Sequence, residues 1–391
     1  MLVGVDGNEA NISNRVGSGQ YGFELIHQFA KIKTEHNFLV YLKNNPIADL
    51  PKESSNLKYL VLGPKKFWTQ LALPVKLFFQ KPRPDVFFTP THYAPRFSPV
   101  PLVVTVFDLS FIHYPEMFRK QDRYQLRSWT EYSVKKAAKI ITISKSSKED
   151  IAKYYKVAKD KTVVTYPGVG ENFTPQPKEK IESVKRKYKI KEDYILYVGT
   201  IQPRKNLIRL IEAFNSLIHN SGWRPSLSAF AKSDLASQRS IQNFQLVIAG
   251  KKGWLYGEIF EKVKELKLEN KVIFTDFIPT EDLPALYSGA KVFVNVSLWE
   301  GFGIPVLEAI ACGIPVVVSN TSSLPEVVGE AGLLVNPANV GDIALVLARV
   351  LNMPRQEYEN LKKKSVQQAK KFSWEKCAGE TLTVLESVSL S

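Results

Sequence analysis

Short runs of Val, Ile, Leu and Phe recur along the chain and alternate with longer stretches whose apolar positions repeat at helical spacing. In the first half, Leu2–Asp6, Phe38–Leu42, Tyr59–Leu62, Val86–Thr89, Leu102–Phe107, Ile140–Ile143 and Val163–Tyr166 read as strands. Helices are predicted from near Gly19 to Lys33, from Lys120 to Lys136 and from Ser146 to Tyr155. In the second half, Ile195–Val198, Leu246–Ala249, Val272–Phe274, Val292–Val296 and Val316–Ser319 read as strands. Between them lie helices near Leu207–Ile218, Glu258–Leu266, Leu283–Gly289 and Val306–Ala311. Unbroken apolar runs of this length suit strands covered on both faces, and strict alternation with helices implies parallel sheets. The predicted class is α/β.

Three stretches break the pattern. Pro167-Gly-Val-Gly-Glu-Asn-Phe-Thr-Pro-Gln-Pro177 is rich in Pro and Gly and reads as a linker. It divides the 391 residues into domains of 1–170 and 171–373. Residues 219–243 form a polar stretch that reads as a surface insertion. Residues 65–80 place Phe67, Trp68, Leu71, Val75, Phe78 and Phe79 at helical spacing with lysines at the margin. That stripe fits either a helix lying in a membrane interface or one packed on the core.

Composition narrows the class. The hydrophobic fraction of 44% and the charged fraction of 23% are those of a folded globular chain. Two cysteines, Cys312 and Cys377, build no disulfide framework and fit a reducing compartment. The chain opens directly on an apolar strand with no basic leader, and no run is long enough to span a bilayer. The expectation is a cytoplasmic protein, with a peripheral position on the inner face of the cell membrane. Of the net charge of +15, about +11 falls in residues 1–170. A basic first half suits an anionic partner, or a solvated lysine-rich surface.

The richest chemistry lies in Glu300-Gly-Phe-Gly-Ile-Pro-Val-Leu-Glu308, which follows a predicted strand and enters a helix. In an open parallel sheet this turn falls at the carboxyl end of a strand, where ligands bind. Gly301, Phe302, Gly303 and Ile304 would bring backbone N–H groups at a helix N-terminus up to an anion such as a diphosphate. Glu300 would stand beside the ligand, and Glu308, about one helical turn in, could accept hydrogen bonds from a ribose diol. Without the glycines the pair would read as one capping and one buried glutamate. Arg204 and Lys205 follow another strand and precede a helix, where they would meet a phosphate as a bidentate fork and a point charge. Gly17-Ser18-Gly19 follows the first strand as a weaker glycine turn that lacks the Lys-Ser/Thr of a P-loop.

Together, Tyr197–Asn206, Val247–Trp254, Glu300–Pro337 and Phe372–Glu375 resemble, in this order along the chain, the retaining GT-B glycosyltransferases of the family 4, group 1 type, similar to bacterial O-antigen mannosyltransferases. Gly17–Tyr21, Asp108–Ser110 and Ile143–Ser146 fit the same resemblance in the first half. It implies two Rossmann-like, doubly wound domains facing across a cleft, with the last helix (about 374–391) crossing back to the first domain. It further implies transfer of a hexose, with GDP-mannose as first donor and a UDP-linked glucose or N-acetylhexosamine as alternative, to a glycan or polyprenyl-diphosphate-linked acceptor. Gly17, Gly19, Thr200, Arg204, Lys205, Phe277, Ile278, Glu300–Ile304 and Glu308 would hold the donor. Asp108, Arg204, Lys205 and Glu300 would act in the reaction. Two positions depart from the family pattern: Thr200 stands where many relatives carry Arg, and Phe107 stands where most carry a His. His92 and His113 are the candidates for the missing imidazole, and Glu326 and Asp276 sit at neighbouring strand ends. No Asp-x-Asp pair and no His/Cys cluster at metal spacing occurs, so neither a metal nor a further cofactor is expected. The rivals are an epimerase of the same double-domain shape and a nucleic-acid-binding protein using Phe67, Trp68 and Tyr124 among the lysines of the basic half. The diphosphate-type turn and the α/β alternation argue against the latter.

Overall fold

In the computed structural model, residues 1–15, 17–219 and 241–389 are described. The polar stretch at 219–243 therefore falls largely outside the described residues. The chain divides into two compact units, Met1–Gly168 with Phe372–Ser391, and Val169–Lys371.

The first unit holds β1 (Leu2–Asp6), β2 (Asn37–Leu42), β3 (Leu57–Val61), β4 (Val86–Thr89), β5 (Leu102–Val106), β6 (Lys139–Thr142) and β7 (Thr162–Val164). Their order in the sheet is β3-β2-β1-β4-β5-β6-β7, and every pairing is parallel. The second unit holds β8 (Tyr194–Val198), β9 (Gln245–Ala249), β10 (Val272–Phe274), β11 (Val292–Asn295), β12 (Val316–Ser319) and β13 (Gly332–Val335). Their order is β10-β9-β8-β11-β12-β13, again parallel throughout. Both sheets are doubly wound, as the strand–helix alternation predicts.

The central strands are buried at every position: β4, β5, β11 and β12 expose no side chain to solvent on either face. Phe293 of β11, for example, lies between Leu196 of β8 and Val316 of β12. Helix Leu207–His219 covers the second sheet with Leu207, Leu210, Ile211, Phe214, Leu217 and Ile218, a single stripe at spacings of three and four. Burying each such side chain contributes about 1.5–3 kcal/mol.

Helix Trp374–Ser389 packs with the first unit. Cys377 Sγ lies 4.0 Å from Tyr21 Oη, and His36 Nε2 is 2.7 Å from Glu386 Oε1. Gly168 allows this approach, since a Cβ there would sit 2.1 Å from Trp374 N. Among the described residues no helix is long and apolar enough to cross a membrane.

In each sheet the strand order reverses at one point, β1/β4 in the first and β8/β11 in the second. At such a point the connections leave in opposite directions and open a crevice at the carboxyl ends of the strands. The predicted site residues of the second unit cluster there.

Candidate functional site

The connection after β8 turns through Pro203–Lys205 into helix Leu207–His219. Asn206 closes the turn with φ of 58°, a left-handed conformation that Asn tolerates well. Its Nδ2 donates to Val296 O (3.0 Å) and Pro337 O (2.7 Å), tying this loop to those after β11 and β13. Leu298 N donates to Arg204 O at 2.9 Å. These bonds hold Arg204 and Lys205 against the loop that follows β11.

That loop carries Glu300. Lys205 Nζ lies 2.5 Å from Glu300 Oε1 and Arg204 Nη1 lies 3.4 Å from Oε2; Arg204 also donates to Trp299 O. Ser297 Oγ donates to Glu300 Oε1 at 2.7 Å. The loop after β12 completes the cage. Glu300 N donates to Ser322 Oγ (3.0 Å), and Ser323 Oγ donates to the carbonyls of Glu300 (2.9 Å) and Phe302 (3.1 Å). Glu300 is 7% exposed. Burial alone would raise its pKa, but the charges of Lys205 and Arg204, with hydrogen bonds from Lys205 and Ser297, outweigh it and hold the carboxyl down to about 2. Glu300 is thus an anion clamped between two cations.

Gly303 caps helix Ile304–Ala311 with φ of 100°, and a Cβ there would meet Leu324 Cδ2 at 2.8 Å. Glycine is needed on both counts. Val306 N and Leu307 N turn back to Gly303 O, and Pro305 has no N–H. The N–H groups of Gly301, Gly303 and Ile304 make no hydrogen bond among the described residues. They are donors at a helix N-terminus, beside the two cations, as the sequence pattern predicts. Glu308 sits one turn further in. Burial raises its pKa to about 7, partly opposed by the hydrogen bond from Tyr287 Oη to its Oε2 at 2.7 Å. Glu326 lies in the short helix Leu324–Val328.

On the other side of the reversal, the ends of β8, β9 and β10 are stitched together. Gly199 N donates to Ala249 O, Ile201 N to Lys251 O and Gly250 N to Asp276 O, each at 2.9 Å. Gly250 is indispensable for this approach, since a Cβ would come within 2.1 Å of Gly199 O. Thr200 is half-buried here. Phe277 is exposed with Lys251 Nζ 4.5 Å from its ring centroid, and Ile278 is buried. Thr200, Arg204, Lys205, Phe277, Ile278, Glu300–Ile304 and Glu308 therefore all lie at the carboxyl ends of neighbouring strands, or in the helix that follows one, in a single unit.

Asp108, Gly17 and Gly19 belong to the first unit. Asp108 Oδ1 accepts from Ser110 N at 2.7 Å at the end of β5. Phe107 packs edge-on against Tyr21, centroids 5.2 Å apart. Gly17 has φ of 53° and opens helix Ser18–Lys31; a Cβ on Gly19 would meet Glu9 O at 2.7 Å. His113 Nε2 is 2.8 Å from Asp150 Oδ2. His92 feels the charge of Asp108: burial pulls its pKa down to about 4 against that charge, so it is neutral at pH 7. Asp6, Asn8, Glu9, Lys43, Trp68 and Trp129 help line a cavity of about 270 Å³ in this unit. Asp6 comes from the end of β1, and Thr91, also in the lining, follows β4, so the cavity marks the order reversal of the first sheet. Sequence reasoning missed Asn206, Ser297, Ser322, Ser323 and Tyr287 in the second unit and Asp6 and Trp129 in the first.

Family models match both units. One, glycosyl transferases group 1, matches residues 178–371, and another, glycosyltransferase family 4, matches residues 17–173. O-antigen chain mannosyltransferase B of Escherichia coli is 33% identical over 284 residues, which cover 72% of this chain and 68% of that protein. The chain belongs to the group 1 glycosyltransferases. The serotype-specific mannosyltransferase WbdA of Escherichia coli is 34% identical over 246 residues, 61% of this chain but 27% of that longer protein. The crystal structure of Anabaena HepE in complex with UDP and glucose superposes with a TM-score of 0.74 over 99% of both chains at 18% identity. At that identity the likeness concerns the GT-B fold alone. The Glu300 cage and the glycine turn of this glycosyltransferase lie within the segment matched by the group 1 model.

Proposed function

We propose that the second unit binds a nucleotide sugar and that the protein transfers its hexose, with retention of the anomeric configuration, to a glycan or polyprenyl-diphosphate-linked acceptor. The observation that carries this reading is the convergence of Arg204, Lys205 and the free N–H groups of Gly301, Gly303 and Ile304 at the order reversal of the second sheet. A diphosphate leaving group needs such charge and such donors, and their placement requires no metal ion. Glu308 holds the ribose diol with the oxygen that Tyr287 leaves open, and the loop around Phe277 and Ile278 receives the base. GDP-mannose is the donor we favour, since the relatives of similar sequence are named mannosyltransferases. A UDP-sugar is the second reading, since a protein of the same fold was crystallised with UDP and glucose.

For the acceptor, we assign the cavity of the first unit. The half-buried indole of Trp129 with the carboxylates of Asp6 and Glu9 suits a sugar ring. Burial keeps the Asp6 pKa up, at about 6. Retention fits a front-face substitution in which the leaving phosphate takes the acceptor proton, and Asp108, at the end of β5, is a carboxylate we assign to the acceptor's unit.

The deciding measurement is calorimetric titration with GDP, UDP and ADP, with and without chelator. Binding of GDP with chelator present is the expected result. Tighter UDP binding replaces the donor, and dependence on a divalent ion overturns the metal-free site. The configuration of the product, read by NMR, tests retention, and an inverted anomer sinks it. The same titration tests Glu308. Hydroxyls donate to a carboxylate better than to a carboxylic acid, so diol binding lowers the pKa of Glu308 from about 7 and releases a proton. Nucleotide affinity should rise with pH through 7, and binding heats near pH 7 should vary with the ionisation enthalpy of the buffer. Glu308→Gln should remove both effects. Their persistence in that variant assigns the proton to another group.

A further inference from the structure

The segment predicted as an apolar stripe at 65–80 folds as a π-helical turn, Trp68–Ala72, continued by helix Leu73–Phe79. It has two apolar faces. Trp68, Ala72, Leu73 and Leu77 face inward and join the core of the first unit. Leu71, Val75, Phe78 and Phe79, spaced by four, three and one residues, face solvent, with Leu71 56%, Val75 54% and Phe79 81% exposed. Phe67 continues this face and carries Lys66 Nζ 5.4 Å from its ring centroid. A soluble surface seldom shows so many large apolar side chains side by side unless something covers them.

The charge around the face selects what covers it. From residue 62 to residue 84 the chain carries Lys65, Lys66, Lys76, Lys81 and Arg83 and no Asp or Glu. Lys65, Lys66, Lys81 and Arg83 are exposed, and Lys76 is half-buried within the helix itself. Apolar side chains flanked along the chain by cations alone match a surface that is anionic outside and apolar just beneath, which is the headgroup region of a bilayer containing acidic lipids. A protein partner would require acidic complementarity wrapped around an apolar centre. A second copy of this face would set cations against cations.

We propose that Leu71, Val75, Phe78 and Phe79 insert into the interface of an anionic membrane, with the flanking lysines and Arg83 on the headgroups. This goes beyond the nucleotide and acceptor reading and does not depend on which donor is bound. It gives a reason for placing the segment beside the cavity, which Phe67, Trp68 and Gln70 also line. A sugar carried on a membrane lipid would reach that cavity from the same surface.

The test is cosedimentation of the full chain with vesicles of phosphatidylcholine, with and without phosphatidylglycerol, at low and at high salt. Binding should be at least about tenfold tighter with phosphatidylglycerol and should weaken as salt screens the headgroups. The triple variant Leu71→Ser, Val75→Ser, Phe79→Ser should lose vesicle binding about tenfold or more while keeping its thermal melting and its nucleotide affinity. Phe79→Ser alone, at the most exposed position, should reproduce part of the loss should the triple variant fold poorly. Three results would overturn the proposal: vesicle binding unchanged in both variants, no binding of the parent protein to anionic vesicles, or a parent dimer in sedimentation velocity that the variants abolish while lipids have no effect. The last would make the face an interface between copies.

Discussion

Replacing Lys205 with alanine is expected to lower turnover by about a hundred- to a thousandfold, the cost typical of removing one preorganised donor from a developing negative charge. Lys205 Nζ is largely buried and held at 2.5 Å from Glu300, so its position is set before any ligand arrives and its field is little screened. A nucleotide diphosphate is already anionic when bound, but it gains further charge as the C1–O bond breaks. A fixed cation therefore stabilises the transition state more than the bound donor. Affinity for the intact nucleotide sugar should fall by less than about tenfold, since Arg204 and the N–H groups of the glycine turn remain. Initial rates with the nucleotide sugar, set against its calorimetric affinity in the absence of acceptor, separate the two effects. Equal losses in both would make Lys205 a ground-state contact. No loss in either would leave it as a structural partner of Glu300.

Much of the fold was legible because parallel strands covered on both faces must be apolar throughout. The runs at β1, β4, β10 and β12 match the structure residue for residue, and the other predicted strands differ by a few residues at most. One element escaped despite an apolar stripe, helix Val340–Leu351, which buries Ile343, Ala344, Leu347 and Val350; the others that escaped lack that signature. Strand β13 lies at the edge of its sheet and is only partly buried, so Gly332-Leu-Leu-Val335 is too brief a run to stand out. Helix Lys178–Lys187 buries only Val184, and helix Arg355–Ala369 buries Ser365, Gln368 and Ala369. Their polar composition carries no apolar stripe to read. The helix at 68–79 shows the converse. Apolar spacing alone left core packing and membrane contact open, and the structure gives the segment one face for the core and a second face towards solvent.

The site divides along the same line. Spacing around glycines singled out the turn at Glu300–Ile304, because close backbone approach restricts which residues can stand there, and position after a strand singled out the pair Arg204–Lys205. It did not show that both cations close on Glu300 itself, since that contact joins positions about a hundred residues apart. Nor did it show the supports. Asn206, Ser297, Ser322 and Ser323 are small polar residues of loops, and they become identifiable only when the hydrogen bonds that tie the loops after β8, β11, β12 and β13 together are seen. The histidine question turns on surroundings too. His113 and His92 look alike in sequence, but one is paired with Asp150 and the other is buried within reach of the charge of Asp108.

Glu300→Ala should destabilise the second unit by about 3–5 kcal/mol near neutral pH, since it leaves two largely buried cations without their common anion. The pH dependence follows from the lowered pKa. The folded value of about 2 lies below the ordinary 4.5, so the contribution of the carboxylate is fully present above pH 4.5 and is lost as pH falls towards 2. The gap between parent and variant in urea midpoint should therefore be constant from pH 6 to 8 and narrow below pH 4.5. A gap that stays constant into acid would assign the loss to packing rather than charge. Nucleotide then separates a structural role for the cations from a ligand-binding one. If Arg204 and Lys205 are the partners of a diphosphate, the bound nucleotide supplies in the variant the negative charge that Glu300 supplied. The variant should then gain more stability from saturating nucleotide than the parent does. Equal gains would show that the two cations serve Glu300 alone and that the diphosphate rests on the glycine turn.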